Sequence, residues 1–591
     1  MKKLEVNGKE IDLSTQLIAL TRQVIDPSSP TTRLIGISNK FELPITQNNK
    51  EVFDFPFTLN SDSLSLDKNY PAKYIDQTPI FDGIGFISEY NRNTFSFQLA
   101  DKTKDLFDNL KDEIKKLGFD DQDIIFDQTN YDTLKLPSSS RLWIWPIVSM
   151  HEDRTIDKSR FTAGNDGLKY SRPMFSLNYL LNSLVNNQGW TFENDQDLSE
   201  SVCISANHTK FYVTSYQKTI NEALVLSGSQ HLTGLNTVDF NKGNVLDSTT
   251  INIGGTKQKF RLRGEIEADS QVRIKIKGTE SVTLKETVQE FIVDSSQTEI
   301  DLTSKDFSSS TNDIAIEVLI EGNGNFEFKN TLLYTIIEEQ DFGDLAANPL
   351  LDYKVKAYDN FLKISQLDLF KLSAILTNSI YEPDSFTKNI KIKSLKNLSK
   401  LNSVDWSDKY DQDTRTVGNI LTKAGQNNEL VYDNDDTIDS SVGKDTFKIF
   451  NESFEDVKEY LKIPFSATND IELNGFSIGD FDIYNDTKRE NDLNPRILYF
   501  YNDSAPGTYT LGRFLELDWR SLKANYYKNW FDSSYRTRVI EGYADLNKLD
   551  VLGFDFTQLV YIDSEKSYFF VLIIEDYIPG QKTKIKLLKF L

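Results

Sequence analysis

Polar and apolar positions alternate in short runs along most of the chain. In NTFSFQLAD (93–101), Phe95, Phe97 and Leu99 alternate with Thr94, Ser96 and Gln98, which predicts a strand with one buried face. IFDGIGFISEY (80–90) pairs with it across Asn91-Arg92 as a hairpin. FELPITQNN (41–49) and KEVFDFPFTLN (50–60) read as short strands between tight turns, since aromatic and β-branched residues are punctuated by Pro and Asn. Leu106, Leu110 and Ile114, with Phe107 and Leu117, recur at helical spacing. LWIWPIVSM (142–150) is a buried strand candidate, and FSLNYLLNSLVNNQGW (175–190) a helix with Leu177, Leu180, Leu181 and Leu184 on one side. Ser176 and Gly189 are placed to cap that helix.

From about residue 241 to 339 the pattern becomes a ladder of short strands: FRLRGEIEA (260–268), QVRIKIKG (271–278), EFIVDS (290–295), DIAIEVLIEG (313–322), NFEFKN (325–330) and TLLYTIIEE (331–339). Val272, Ile274 and Ile276 alternate with Arg273, Lys275 and Lys277, and this spacing of strands and Gly, Asn and Ser turns describes a β-sandwich. Beyond residue 350, FLKISQLDLFKLSAILTNS (361–379) predicts a helix with a broad apolar face. Strands resume at IKIKSL (390–395) and dominate the last stretch: RVIEGYADL (538–546), the hairpin LVYIDSEKSYFFVLIIEDYIPG (559–580) and KTKIKLLKF (582–590). No repeat of 20–50 residues stands out, which argues against a solenoid or propeller.

Composition narrows the function classes. The chain has 591 residues, enough for about four domains or fewer large ones. It carries a formal charge of −23, and no run of five basic residues breaks that field, so a general grip on nucleic acid is not expected. The 39 Phe and 26 Tyr supply ample core for a folded chain. The single cysteine, Cys203, excludes an intramolecular disulfide framework and a Cys-based zinc cluster. MKKLEVNGKEIDLS has no apolar stretch after its lysines, so it is not read as an export signal, and no run is apolar and long enough to span a bilayer.

Candidate chemistry is sparse. Gly475-Phe476-Ser477-Ile478-Gly479 fits the G-x-S-x-G elbow of α/β-hydrolases on paper. All three histidines (His151, His208, His231) precede Ser477, and the DFDIYND that follows is not helical, so a turn between strands explains the glycines better. The acidic run Asp433-Asn434-Asp435-Asp436, with Asp439, offers hard oxygen ligands for calcium. An EF-hand fails there because Ile438 and Lys444 occupy the Gly and Glu positions, so a solvated turn is preferred. The histidines show no metal-ligand spacing. Two carboxylates of a glycosidase cannot be selected among 89 acidic residues. Trp143, Trp145, Trp190, Trp406, Trp519 and Trp530 all lie outside the sandwich and read as core or interface anchors. Sugar stacking within the sandwich would fall to Phe291, Phe307, Phe326, Phe328 or Tyr334, most of which sit in strands where core packing is the simpler role. No catalytic, cofactor-binding or metal residue is assigned, no cofactor is expected, and the chain is not expected to be an enzyme.

Several stretches resemble one family when taken in order. VNGKEIDLS (6–14) and RLIGISNKFELPITQNNKEVF (33–53) give a glycine turn, an F-x-L-P-x-T-x-N-N strand and turn, then a phenylalanine. ISQLDLFKLSAILTNSIYEPD (364–384), VDWSDKYDQD (404–413) and the stretch from GYADLNKLDVLGFDF to KIKLLKF (542–590) follow. Together they resemble the tail-hub or baseplate structural proteins of tailed phages that infect Bacteroidota, over roughly two-thirds of the chain. None of these elements is a catalytic signature.

The resemblance implies a mainly β fold: two tail-tube-like β-barrel hub modules, an inserted jelly-roll-like, carbohydrate-binding-like β-sandwich, and a few short helices. The expected divisions are 1–240, an N-terminal hub module with a helical segment; 241–345, the sandwich; and 346–591, a C-terminal module of helix and barrel. The implied role is geometric, a virion protein at the tail tip or baseplate made in the host cytoplasm. It would form a homo-trimer whose barrel pairs make a pseudo-sixfold ring joining the tube to a spike or fibre. Implied partners are other copies of the chain, tail-tube and distal tail proteins, spike, fibre or tape-measure proteins, and a host surface glycan at the sandwich. An acidic bore would let DNA slide without sticking. The alternatives are a freestanding carbohydrate-binding surface protein, a capsule-degrading glycosidase, and the hub of a phage-like injection system.

Overall fold

The computed structural model describes residues 2–590 except 24–36, 54–67, 92, 102–109, 126–127, 135–137, 150–172, 195–196, 208–210, 215–216, 232–249, 253–257, 281–283, 308–312, 340–353, 385–386, 419–424, 436–437, 440, 451, 453, 474–475, 482–493, 504–508 and 537–538. The fold is mainly β with a few short helices, as the alternation predicts. Among the described residues its largest sheet has 14 strands and draws on both ends of the chain.

The N-terminal part of that sheet sets Lys2–Val6, Tyr70–Asp76, Thr78–Tyr90 and Thr94–Asp101 side by side, all antiparallel. Phe41–Pro44 pairs with the start of Thr94–Asp101 and Ile37–Ser38 with its end, so one curved edge receives two short strands. Phe95, Phe97 and Leu99 are fully buried, as the alternation predicts, but Ser96 on the opposite face is buried too. Phe53 fills the middle of this half-barrel, its ring 5.1 Å from Phe95 and 5.5 Å from Phe97. Burying such a ring contributes about 1.5–3 kcal/mol. Gly83 is needed where the strand passes over Phe81, because a Cβ there would lie 2.4 Å from the Ala100 carbonyl oxygen.

The strand expected over 50–60 is replaced, where described, by the helix Gln47–Val52. Thr46 accepts the Asn49 N–H, and buried Asn49 hydrogen-bonds the backbone of Asp12 and Pro44. Those caps and tertiary bonds outweigh the β propensity of Val52 and Phe53. Residues 54–60 lie outside the described residues, as do Leu106 and Phe107 of the helix expected near 106–117. What is described of that helix is a single 3-10 turn, Ile114–Leu117, ended by Gly118 at φ 65°. The Ile114 N–H is drawn to the Ile364 carbonyl instead of continuing a helix.

The C-terminal part is a nearly closed barrel. Leu559–Ile562, Ser567–Tyr577, Thr583–Phe590 and Val539–Ala544 follow one another as antiparallel neighbours. Val404–Asp405 pairs with Leu559–Ile562 at one end of this order, and Tyr410–Gly418 with Val539–Ala544 at the other. A single kinked segment, 404–418, therefore bridges both edges. Fully buried Trp406 sits at the kink, its backbone N–H on the Tyr561 carbonyl and its ring 5.2 Å from Phe554.

A mixed layer lies between in sequence. The helix Leu177–Asn187 is capped by Ser176, as expected; its other end is Gln188, with Gly189 one step beyond at φ 71°. The helix expected over 361–379 is shorter, Gln366–Thr377, because Ser365 accepts the Asp368 N–H and fixes its start. The strand expected over 142–150 pairs regularly at Trp143–Ile144, and Pro146 interrupts the ladder before isolated bridges at Ile147 and Ser149.

The three strands expected over 313–339 are one, Asp313–Glu339. Gly322, Asn323 and Gly324 read locally as a turn, yet the ladder to Gln217–His231 runs straight through them. Gly228 (φ 104°) and Gly324 (φ 106°) let both strands bend, so each passes from one half of the sandwich to the other. In one half 314–321 pairs with Val272–Glu280, which pairs in turn with Glu286–Val293; in the other 326–337 pairs with Gln258–Ala268, which pairs in turn with Glu299–Thr303. Ile274, Ile276, Leu262, Phe326 and Phe328 bury one common core between the halves. Gln217–His231, ahead of residue 241, belongs to this same hydrogen-bonded sheet.

Candidate functional site

The residues singled out by motif do not converge. Ser477 sits inside the strand Phe476–Asp480, opposite Glu472, with its carbonyl accepting the Tyr501 hydroxyl at 3.2 Å. A nucleophile elbow needs a strand-to-helix turn at that serine, and this is a strand. Gly475 lies outside the described residues, as do His151 and His208; His231 ends the strand Gln217–His231.

The acidic run is spent locally. Asp433 pairs with Lys462 at 2.6 Å, and Asp435 lies 3.7 Å from buried Arg496. Asn434 bonds the backbone of Val442 and Ala467. Asp439 accepts both the N–H and hydroxyl of Ser441 at 2.8 Å, and Asp436 lies outside the described residues. Among the described residues no three His, Cys, Asp or Glu side chains gather to hold a metal. All six tryptophans are buried, and so are Phe307, Phe326, Phe328 and Tyr334; Phe291 is half-buried. Cys203 is fully buried beside Met174, and burial pushes its thiol pKa well up.

Two constellations do position the architecture. The first is the seam between the barrels. Ser567–Tyr577 gives its first half to Leu559–Ile562 and its second half, on the same edge, to Leu20–Gln23. Its opposite edge runs along Thr583–Phe590, with a bulge between Val571 and Ile573 where the two halves part. One strand is thus a stave of the C-terminal barrel and the partner of the N-terminal sheet. Arg22 locks the seam: its guanidinium donates to the carbonyls of Val551 and Leu552 and lies 5.3 Å from the Phe556 ring. The Asp576 N–H adds a bond to Thr21 Oγ1 at 3.1 Å.

The second is the joint at the base of the sandwich. Arg261 Nε and Nη2 grip the Asp301 carboxylate at 2.6 and 2.7 Å, while Nη1 reaches Asp359 Oδ1 at 2.6 Å. Tyr358 donates to Asp301 at 2.6 Å and Tyr334 to Asp359 at 3.2 Å. The Arg263 guanidinium lies 3.7 Å from the centre of the Tyr358 ring. Lys356, buried over the Tyr334 ring, pairs with Asp123 at 3.0 Å. Burial pushes the Asp301 carboxyl up, but Arg261 and the Tyr358 hydroxyl outweigh it and hold the group below its ordinary value. Asp359 is buried more deeply, and there burial outweighs Arg261, so its pKa is raised. Burial, then the Asp301 hydrogen bond, pushes Tyr358 up to about 12.

Sequence reasoning missed both. The joint left one faint signal, Arg261 and Arg263 on the polar side of a strand whose other side is Phe260 and Leu262. Nothing local shows that Tyr358 and Asp359 face them.

No protein-family model and no curated protein matches the chain. Among solved structures it is similar to the 43 kDa tail protein of prophage MuSo2 from Shewanella oneidensis, at 7% identity over 99% of this chain and 98% of that one, with a TM-score of 0.31. It is also similar to the prophage tail protein gp18 from Listeria monocytogenes EGD-e, at 10% identity over 56% and 94%, with a TM-score of 0.19. TmCBM61 in complex with beta-1,4-galactotriose matches at 11% identity over 23% and 81%, with a TM-score of 0.12. Scores this low leave the functional reading to the chain's own residues. Among the described residues no helix is long and apolar enough to cross a membrane.

Proposed function

We propose that the chain is a structural virion protein of a phage tail, the hub or baseplate piece at the tail tip that connects the tube to a spike or fibre. The observation that carries this reading is the strand Ser567–Tyr577, which fuses two barrel-like sheets edge to edge in one subunit. A rigid pair of that kind makes a six-barrel ring from three copies, with the closed symmetry that removes exposed strand edges. The order of family-like elements along the sequence supports the same role. The divisions proposed are an N-terminal module, a sandwich whose sheet includes Gln217–His231, and a C-terminal module from about residue 346. Tail-tube, distal tail, spike and tape-measure proteins are the partners this role requires, and its work is geometric.

A host glycan is the ligand proposed for the sandwich, reached through residues other than its core aromatics. The readings as a freestanding carbohydrate-binding protein or a glycosidase gain nothing from Phe307, Phe326, Phe328 and Tyr334, which are buried. Mass measurement of the purified full chain, with negative-stain imaging, tests the proposal. A trimer forming a ring with six lobes is expected. A stable monomer that forms no ring at any concentration would overturn it.

A further inference from the structure

Among the described residues, two connections tie the sandwich to the body. One is backbone. The strand Asp313–Glu339 carries its ladder out of the sandwich onto Phe211–Thr214, which passes it to Lys354–Val355 and then Ile124–Ile125. That ladder is narrow, three residue pairs onto Phe211–Thr214 and two onto each strand after it, so by itself it holds the sandwich along one line only. The other connection is the Arg261 joint, and it is displaced sideways from the ladder. Asp301 lies on Glu299–Thr303, which is separated from Asp313–Glu339 by the strand Gln258–Ala268. The body's short helix Ala357–Asn360 reaches across to it through Tyr358. The same helix supplies Asp359 to Arg261 and is itself fixed to the body: Asn360 exchanges two hydrogen bonds with the Tyr212 backbone, and the Ala357 N–H binds Asp123.

We infer that this cluster is a latch that fixes the direction in which the sandwich projects, making the accessory module a rigid arm of the body. Two attachments on different strands define an orientation, where one strand would define only a pivot. The chemistry suits the task. Arg261 is bidentate to one carboxylate and bonded to a second, so its planar fork fixes angle as well as distance. Arg261 and Asp359 are 17% and 4% exposed at their side chains, so solvent screens the contact little. Tyr358 donates its hydroxyl to Asp301 while its ring lies 5.0 Å from the guanidinium of Arg261 and 3.7 Å from that of Arg263, so the four groups must move together. The latch operates in a single copy of the chain, whatever that chain assembles into.

Pulsed dipolar spectroscopy on the full chain tests this, with nitroxides at Lys363→Cys in the body and Val288→Cys on the sandwich, and with the labelled chain refolded in a large excess of unlabelled chain so that only distances within one copy are read. Both positions are exposed, and Cys203 is too buried to label. The otherwise unaltered chain should give one narrow distance. Arg261→Met should broaden that distribution at least about twofold while far-ultraviolet circular dichroism stays unchanged. A broad or multimodal distribution before any latch residue is altered would overturn the inference, and so would a folded Arg261→Met protein with an unaltered one. Should Arg261→Met fail to fold, the shape-conserving pair Asp301→Asn with Tyr358→Phe decides by the same criterion: broadening supports the latch and an unchanged width rejects it.

Discussion

Arg261 Nη1 lies 2.6 Å from Asp359 Oδ1, joining residues 98 positions apart across the boundary between the sandwich and the body. Neither group is cheap to bury alone. Burial raises the Asp359 pKa, and Arg261 is the strongest of the groups that oppose it.

Arg261→Ala leaves two carboxylates without their shared cation and should destabilise the chain by about 3–5 kcal/mol. Arg261→Lys keeps the charge and loses the two-pronged grip, so it should cost less. Urea unfolding of the full chain, followed by tryptophan fluorescence, checks the order of the two variants; equal losses would mean that charge alone matters.

Trp406→Ala removes the ring that fills the kink closing the C-terminal barrel. A cost of about 3–5 kcal/mol is expected for emptying so large a buried volume. Hydrogen exchange should show the loss concentrated at Tyr410–Gly418 and Leu559–Ile562, the two edges the kinked segment bridges.

At the seam, Arg22→Ala withdraws the donor from the Val551 and Leu552 carbonyls, at about 1–3 kcal/mol. Limited proteolysis should then cut between the N-terminal sheet and the rest before either part unfolds. An unchanged digestion pattern would show that the backbone pairing of Leu20–Gln23 suffices by itself.

Asp470 gives a pH prediction. Burial lifts its pKa from 3.8 to about 6, against the pull of the Phe514 N–H, which it accepts at 2.7 Å. A carboxyl whose folded pKa is raised favours the folded state in its protonated form. Its ionisation therefore removes stability as pH climbs from about 4 to about 6, leaving a deficit on the order of 2 kcal/mol at neutral pH. Asp470→Asn keeps an acceptor for Phe514 and should raise the melting temperature at pH 7.5 while leaving it nearly unchanged at pH 4. Melting curves over that range check it.

The period-two pattern made the strands legible because each records which residues share a face: Phe95, Phe97 and Leu99 fill the core from one side, although Ser96 on the other is covered as well. The helix at Leu177 was equally plain, since its cap and its apolar stripe agree. Legibility failed where a local signal had two meanings. Gly322-Asn323-Gly324 reads as a turn, but in a strand that changes layers the same glycines supply a bend. It failed again for partners. Leu20 pairs with Tyr577, and Arg261 with Asp359, and neither residue's neighbours encode the other. The seam and the joint are matters of which element meets which, and alternation is silent on that.

The strand Ser567–Tyr577 also sets a timetable for biosynthesis. The Thr21 hydroxyl waits for an amide that follows it by 555 positions. At about 5–20 residues per second the ribosome needs on the order of half a minute to two minutes to deliver it. Until then the nascent N-terminal sheet keeps an unsatisfied edge, the kind of surface that chaperones cover and that aggregates when they do not.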